Sequence, residues 1–354
     1  MAILKILITG AGAPGIAGTI YSLRQDKDLD ISLIGTDIRD DPVGKYFLDK
    51  VYKVPRPSQE FIDKVFEICQ LEGIQVILPQ VTNELEWFAK YKDKFNSIGV
   101  KVLISDYQSL MEVNNKFTLL KKCYENNVDC FGKYFLVKSI DELKKAALIL
   151  GYPNKSFVVK MPVSNGMRGL RIINSNFDKY ENFVKNKPSD AIISFEELLS
   201  IFKNNDFPDL LVTEFFPGDE YTVDVLAKNG ETIVCIPRIR KVIRTGITFE
   251  GECVNHQEII NYCIQIVKAF KLDYMVGFQF KIDENGKAKI LESNPRIQGT
   301  MVAATFANTN VILGAVKQAL YGNSSLSQKD IIWGTKIIRY FGAIGDNGKE
   351  VMKL

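Results

Sequence analysis

Lys160 ends the apolar run Phe157-Val158-Val159 and is followed by Met-Pro-Val-Ser164-Asn165-Gly166. A cation on an apolar strand is penalised by burial unless an anion meets it. The turn behind it offers backbone N–H groups and the Ser164 hydroxyl to the oxygens of a phosphate. Further along, Glu292 and Asn294 stand one residue apart in Leu291-Glu292-Ser293-Asn294-Pro295-Arg296. On a strand that spacing puts both side chains on one face. Gln279, in Gly277-Phe278-Gln279-Phe280, can face them from the partner strand of a hairpin. A carboxylate with two amide oxygens is a hard-oxygen set suited to Mg²⁺. Arg296, just beyond, offers a planar fork to an oxyanion.

Each cluster alone has an ordinary reading. A lysine at a strand end commonly extends its head to water. Glu-x-Asn is commonly an exposed strand face, and Glu220-Tyr-Thr-Val-Asp224 is regular alternation. Their joint occurrence in this order is what gives them weight.

Residues 1–105 alternate apolar runs with helical segments. Strands are expected at Ile3–Thr9, Ile31–Asp37, Val51–Val54, Val76–Leu78 and Val100–Ile104. Helices are expected from Ile16 through Leu23, over Phe61–Leu71 and over Glu84–Tyr91. Buried strands separated by crossover helices make a parallel, doubly wound sheet. Residues 106–325 change texture. Helices are expected at Asn115–Glu125, Ile140–Leu150, Phe195–Phe202 and His256–Phe270, and two more end near Tyr321. Strands are expected at Phe157–Met161, Leu170–Ile173, Leu211–Glu214, Tyr221–Ala227 and Thr232–Ile243, with a hairpin from Gly277–Ile282 to Ala288–Glu292. Residues 326–354 form a tail with one strand in Trp333–Phe341.

Gly10-Ala-Gly12-Ala-Pro-Gly15 stands between a strand and a helix, and Asp37 closes the second strand. That pattern can cradle a dinucleotide, with Asp37 on a ribose hydroxyl. It also answers a plain need for small residues where a strand turns tightly into a packed helix. A nicotinamide-dependent oxidoreductase built on this loop is therefore one alternative.

Composition narrows the field. The chain has 354 residues, 46% of them hydrophobic and 25% charged, with a formal net charge of +3. This is a globular balance, long enough for two or three domains, and it excludes disorder and collagen-like or coiled-coil forms. No basic tract marks a nucleic-acid partner, and no apolar run reaches membrane-span length. His256 is the only histidine, which counts against Ser-His hydrolases and multi-His metal centres. The six cysteines form no CxxC pair and read as buried reduced thiols of a cytoplasmic protein.

Taken together, the clusters resemble the ATP-grasp superfamily, most closely its carbamoyl-phosphate-synthase-large-subunit-like branch. The resemblance covers roughly residues 1–320. It implies a Rossmann-like N-terminal domain (1–105) and an ATP-grasp domain (106–325) whose small lobe (about 150–213) and large lobe (about 214–325) clasp ATP between antiparallel sheets. By the same resemblance, Lys116 and Lys160 contact phosphates, with Ser164 beside them. Glu214, Phe215 and Phe216 form the hinge at the adenine edge, and Glu220 meets the ribose. Gln279, Glu292 and Asn294 hold Mg²⁺ (or Mn²⁺). Arg296 and Lys160 serve the transferring phosphate, and Arg238, Arg240 and Arg244 occupy a region where relatives place substrate-binding arginines. Two departures speak against carbamoyl phosphate synthesis itself. This sequence shows one such module, and Arg296 is followed by Ile-Gln-Gly-Thr with no second arginine.

The activity implied is an ATP- and Mg²⁺-dependent ligase joining a small-molecule carboxylate to an amine through an acylphosphate. A nucleotide-binding regulatory protein without turnover is a further alternative. Where such proteins oligomerise, a homodimer is the commonest assembly. The readings separate in a thermal-shift assay. Mg-ATP is expected to raise Tm and NAD(P)H to leave it unchanged.

Overall fold

The computed structural model describes residues 3–164, 168–185, 191–244 and 246–353. The chain begins with β1 (Leu4–Thr9), α1 (Ile16–Leu23), β2 (Ile31–Asp37), β3 (Lys50–Lys53), α2 (Gln59–Glu72), β4 (Val76–Leu78), α3 (Thr82–Lys90), α4 (Lys92–Asn96) and β5 (Lys101–Val102). The strands lie in the order β3-β2-β1-β4-β5, all parallel. All three residues of β4 are buried, as helices on both faces require. α2 shows how local sequence sets an element. The Ser58 side chain accepts from the Phe61 N–H at its start, and Gly73 at φ +69° ends it. Between them Phe61, Ile62, Val65, Ile68 and Cys69 fall on one buried stripe.

After α5 (Tyr107–Asn114) and α6 (Lys116–Glu125) come β6 (Tyr134–Val137), α7 (Ile140–Ile149), β7 (Phe157–Lys160), β8 (Arg171–Ile173), α8 (Lys179–Lys185), β9 (Ile192–Ile193), α9 (Phe195–Phe202) and β10 (Leu210–Glu214). This second sheet runs β6-β10-β7-β8-β9 and is antiparallel except between β8 and β9. It carries its own core, around Leu143, Phe157, Val159 and Val212. The third sheet is built from β11 (Glu220–Lys228), β12 (Glu231–Arg244), β13 (Ile247–Cys253), β14 (Tyr274–Ile282), β15 (Ala288–Asn294) and β16 (Lys336–Ile338), with α10 (Gln257–Ala269), α11 (Val302–Phe306) and α12 (Val311–Tyr321). It runs β15-β14-β11-β12-β13-β16, antiparallel throughout. The β11–β12 turn places Asn229 and Gly230 at φ +51° and +82°, as a tight hairpin turn requires.

One core spans the first and third sheets. Ile6, Ile8 and Leu33 pack in the same cluster as Leu226, Val234, Ile236, Val311 and Ile312. At the seam the glycine loop meets the loop after β15 backbone to backbone, and a Cβ on Gly15 would lie 2.6 Å from the Gly299 Cα. The hairpin of β17 (Ile344–Asp346) and β18 (Val351–Lys353) closes the chain. It rests on the first unit, where Tyr46 Oη donates to Asp346 Oδ2 at 2.9 Å and Lys353 Nζ to the Tyr46 carbonyl at 2.7 Å.

Several elements lie outside the sequence-based expectations: α4, α5, β6, α8, β9 and β13. β13 reads Ile-Thr-Phe-Glu-Gly-Glu-Cys, whose charges and Gly251 break the alternation, and β12 bulges on either side of Val242 to pair with it. The single tail strand is β16, which edges the third sheet, and the β17–β18 hairpin beyond it was not expected.

Because Gly15 abuts backbone rather than a flexible side chain, Gly15→Ala should lose about 1–3 kcal/mol of stability. Urea unfolding measures the loss, and an unchanged midpoint would contradict the close packing of this seam.

Candidate active site

Gln279 pairs with Glu292 and Gly277 with Asn294 across β14 and β15, which brings the three oxygen-bearing side chains to one patch. α6 supplies the cation opposite. The Asn115 side chain caps the helix by accepting from the Phe117 and Thr118 N–H groups, and the Lys116 N–H donates to the Pro162 carbonyl at 2.8 Å. The Lys116 ammonium, on a residue 5% exposed, lies 3.3 Å from Glu292 Oε2. It also donates to the Ser164 carbonyl at 3.1 Å and to Ser164 Oγ at 3.4 Å. Asn165 and Gly166, the rest of the expected phosphate turn, lie outside the described residues.

Lys160 is 6% exposed, and its Nζ donates to the Leu291 carbonyl at 2.8 Å. Burial pushes its ammonium down to about 8; Glu292 pulls it back up, and Lys116 pushes it further down. Two ammonium groups thus share a cleft with one carboxylate between them. Arg296 adds a third cation. Its Nε donates to Thr82 Oγ1 at 2.9 Å, Nη1 to the Ile297 carbonyl at 2.8 Å and Nη2 to Asn294 Oδ1 at 3.1 Å. Thr82 opens α3, so the first unit helps aim this guanidinium.

The cleft has a volume of about 590 Å³. Val158, Ile172, Leu291 and Phe216 give it apolar lining, with Phe215 beneath the Lys281 ammonium at 5.1 Å. Glu214 lines it too, but its carboxylate accepts from the Lys133 N–H at 2.9 Å, which ties it to the β6 side. Glu220 is ion-paired with Arg240, whose other donors reach Thr248 Oγ1 at 2.8 Å and the Gly246 carbonyl at 2.7 Å.

Two expected placements do not hold. Arg238 is 0% exposed and lies beneath the cleft, its Nη2 2.8 Å from Asp224 Oδ2 and its Nη1 donating to Thr300 Oγ1 at 3.0 Å. Burial pushes the Asp224 carboxyl up, against the pull of Arg238. Alternation along β12 alone does not show that this face is wholly covered. Arg244 is exposed and stacks on Phe249 at 4.7 Å rather than lining the cleft.

Other lining residues were not singled out from sequence. Gln298 accepts from Thr222 Oγ1 at 2.8 Å and donates to the Val223 carbonyl at 2.9 Å, bracing the Gln298–Thr300 loop. Arg339 comes from the tail and donates to the Pro14 carbonyl at 2.8 Å. Nothing in Ile-Ile-Arg339-Tyr marks it beforehand, because only the fold carries the tail to the cleft.

The glycine loop is already satisfied from within. Gly12 N–H donates to Asp37 Oδ2 at 2.6 Å and Arg39 N–H to Asp37 Oδ1 at 2.9 Å, while Arg39 Nη2 donates to the Gly12 carbonyl at 2.9 Å. The amide and carboxylate that a dinucleotide needs are engaged with each other. Gly15 serves close packing instead.

A parallel-sheet unit followed by two antiparallel lobes flanking a cleft of lysines and hard oxygens defines the ATP-grasp architecture. Two family models match successive parts of the chain. Residues 6–103 match the PylC-like N-terminal domain, and residues 206–336 match the ATP-grasp of the biosynthetic pathway with Ter operon. Residues 206–336 thus fall within an ATP-grasp family, and the architecture of the chain is the ATP-grasp fold. The biotin carboxylase domain of Hydrogenobacter thermophilus 2-oxoglutarate carboxylase, complexed with MgADP, ADP and bicarbonate, superposes with a TM-score of 0.70 at 16% identity, covering 95% of this chain and 74% of that one. The N5-carboxyaminoimidazole synthetase of Staphylococcus aureus, complexed with ADP, gives 0.66 at 14% identity, over 92% of this chain and 80% of that one. Campylobacter jejuni biotin carboxylase, in a β-γ-ATP complex, gives 0.69 at 15% identity, over 95% and 74%. Among curated proteins, no sequence is significantly similar to this chain.

A buried ammonium held below its ordinary value of 10.5 costs stability at neutral pH. The unfolded chain binds that proton more tightly, so stability should rise with pH from about 8 towards 10.5. Lys160→Met should therefore stabilise the protein at pH 7 by on the order of 1–3 kcal/mol while abolishing the thermal shift given by Mg-ATP. A destabilised variant that still responds to Mg-ATP would contradict this assignment.

Proposed function

We propose that this protein is an ATP- and Mg²⁺-dependent ligase that joins a small-molecule carboxylate to an amine, releasing ADP and phosphate. The observation that carries the reading is the convergence of Lys116, Lys160 and Arg296 on one cleft with Gln279, Glu292 and Asn294. Phosphoryl transfer needs positioning and charge neutralisation more than acid–base groups. The apolar lining that includes Phe216 suits a base, and Lys116 and Lys160 suit the phosphates. The carboxylate attacks the γ-phosphorus, the bond to the β-phosphate oxygen breaks and ADP leaves. The amine nitrogen then attacks the acyl carbon, phosphate departs and the nitrogen gives up a proton.

The oxygens of Gln279, Glu292 and Asn294 fit a hard divalent cation. They come from adjacent strands in direct register, and the carboxylate already sits beside a positive charge, the Lys116 ammonium. Bound there, Mg²⁺ would neutralise phosphate charge. Among the described residues no group of three or more His, Cys, Asp or Glu offers a different metal centre.

Bicarbonate is bound in one of the structural relatives. For this chain an organic acid is the better-supported acceptor. Bicarbonate has a second proton to shed in the course of the reaction, and in the nucleotide-free protein the carboxylates lining the cleft are all engaged: Glu214 by the Lys133 N–H, Glu220 by Arg240 and Glu292 by Lys116. A carboxylic acid arrives ionised and needs no base. Arg339 is the residue we assign to hold it, since among the described residues it pairs with no carboxylate and reaches only the Pro14 carbonyl. The six cysteines are free and buried, which suits a reducing, cytoplasmic setting, and no described helix is long and apolar enough to cross a membrane.

An ADP-release screen over acid and amine pairs tests the reading. Release should require both partners, and Glu292→Ala should abolish it. Arg339→Ala should raise the KM for the acid by about 10–100-fold with little change in the KM for ATP, as loss of a charge-assisted contact to one substrate predicts. Equal effects on both KM values would detach Arg339 from acid binding.

A further inference from the structure

Glu292 is the single carboxylate of the three-residue oxygen set, and both of its oxygens are taken. Oε2 lies 3.3 Å from the Lys116 ammonium, and Oε1 accepts from Asn294 Nδ2 at 3.3 Å. Of the two amide oxygens, Asn294 Oδ1 accepts from Arg296 Nη2 at 3.1 Å, so the neutral Gln279 oxygen alone is left to a metal. The set is therefore neutralised by the protein's own cations. We infer that in the nucleotide-free protein Lys116 stands in for the divalent cation, so that the metal gains its site only together with a phosphate that draws Lys116 off Glu292. The inference rests on the nucleotide reading above and adds a coupling between two ligands that share the site.

The argument is one of charge and burial. A metal ion entering alone must displace Lys116 from Glu292. The displaced ammonium keeps only the Ser164 carbonyl and hydroxyl, in a buried position that also faces Lys160. Leaving a buried cation without its anion is strongly unfavourable. Lys116 has little freedom to escape to water, because its own N–H is bound to the Pro162 carbonyl and the residue is 5% exposed. A polyphosphate changes the balance, since its oxygens give both lysines an anion and free Glu292 for the metal. By linkage, whatever the phosphate adds to metal affinity the metal adds to phosphate affinity.

Mn²⁺ is the probe, followed by the loss of its free-ion EPR signal on titration into the full-length protein, with the Mn²⁺ taken up by free nucleotide subtracted from a protein-free titration. Wild type should bind Mn²⁺ weakly alone and much more tightly with ADP or ATP. Lys116→Gln keeps a donor towards Ser164 but removes the charge. It should bind Mn²⁺ alone about tenfold tighter than wild type, while the gain from added nucleotide shrinks. Lys281→Gln removes the same charge from the cleft lining without touching Glu292, and its Mn²⁺ affinity should stay within about twofold of wild type. The inference is overturned if Lys116→Gln binds Mn²⁺ no tighter than wild type, or if Lys281→Gln gains as much. A wild type that takes up no Mn²⁺ even with nucleotide present removes the nucleotide reading itself, which is a separate outcome.

Discussion

An ammonium group sealed into a protein with a backbone carbonyl for a partner is an unstable arrangement on its own. Lys160 is in that position, and Lys116 and Arg296 crowd the same cleft with one carboxylate among them. Removing such charges from water costs several kcal/mol each, even after local relaxation. Water-exposed cations would be cheaper but weaker, because bulk solvent screens them. The cleft therefore holds its positive charge in readiness for a polyanion, and the surrounding architecture is best understood as the scaffold that keeps it there.

That scaffold divides the labour. The parallel sheet and the six-stranded sheet share one core, so Thr82, Arg296, Gly15 and Gly299 hold fixed positions relative to one another. The middle sheet has a core of its own. It contributes Lys160 from β7 and the Pro162 carbonyl that fixes the start of α6, hence Lys116. Each of these cleft cations is thus placed by contacts between units, and none depends on one segment alone. Such preorganisation is what electrostatic catalysis demands, since groups already aimed need no rearrangement as charge develops.

The parts that could be read from the sequence are those in which a short pattern has one physical meaning. Glu292-x-Asn294 on a strand shares a face whatever the fold, and Gln279 reaches it because a hairpin joins their strands. Apolar runs gave the parallel sheet, with ends displaced by a residue or two. Residues whose position depends on distant packing were not readable. Arg238 and Arg240 lie two apart on β12 and look equivalent, yet one is sealed beneath the cleft and the other faces it. Arg339 reaches the cleft only because β16 edges the six-stranded sheet. The glycine loop shows the reverse error. Its spacing suggests a ligand, but Asp37 spends its carboxylate on the loop itself.

The sealed Arg238–Asp224 pair explains how the floor stays in place. Buried ion pairs seldom add net stability over apolar residues of the same shape, so stability alone is a poor reason for this one. Its geometry offers a better reason. Arg238 reaches Thr300 Oγ1, and Asp224 Oδ1 accepts from Gln298 Nε2 at 3.3 Å, so the pair grips both ends of the Gln298–Thr300 loop. That loop carries Gly299, against which Gly15 packs, and it begins two residues after Arg296. An apolar pair could fill the same space but could not fix the loop's direction, because dispersion contacts carry little orientation. Directional hydrogen bonds in a dry interior do. The charge under the floor is best explained as the means by which the loop that follows Arg296 is held to one conformation.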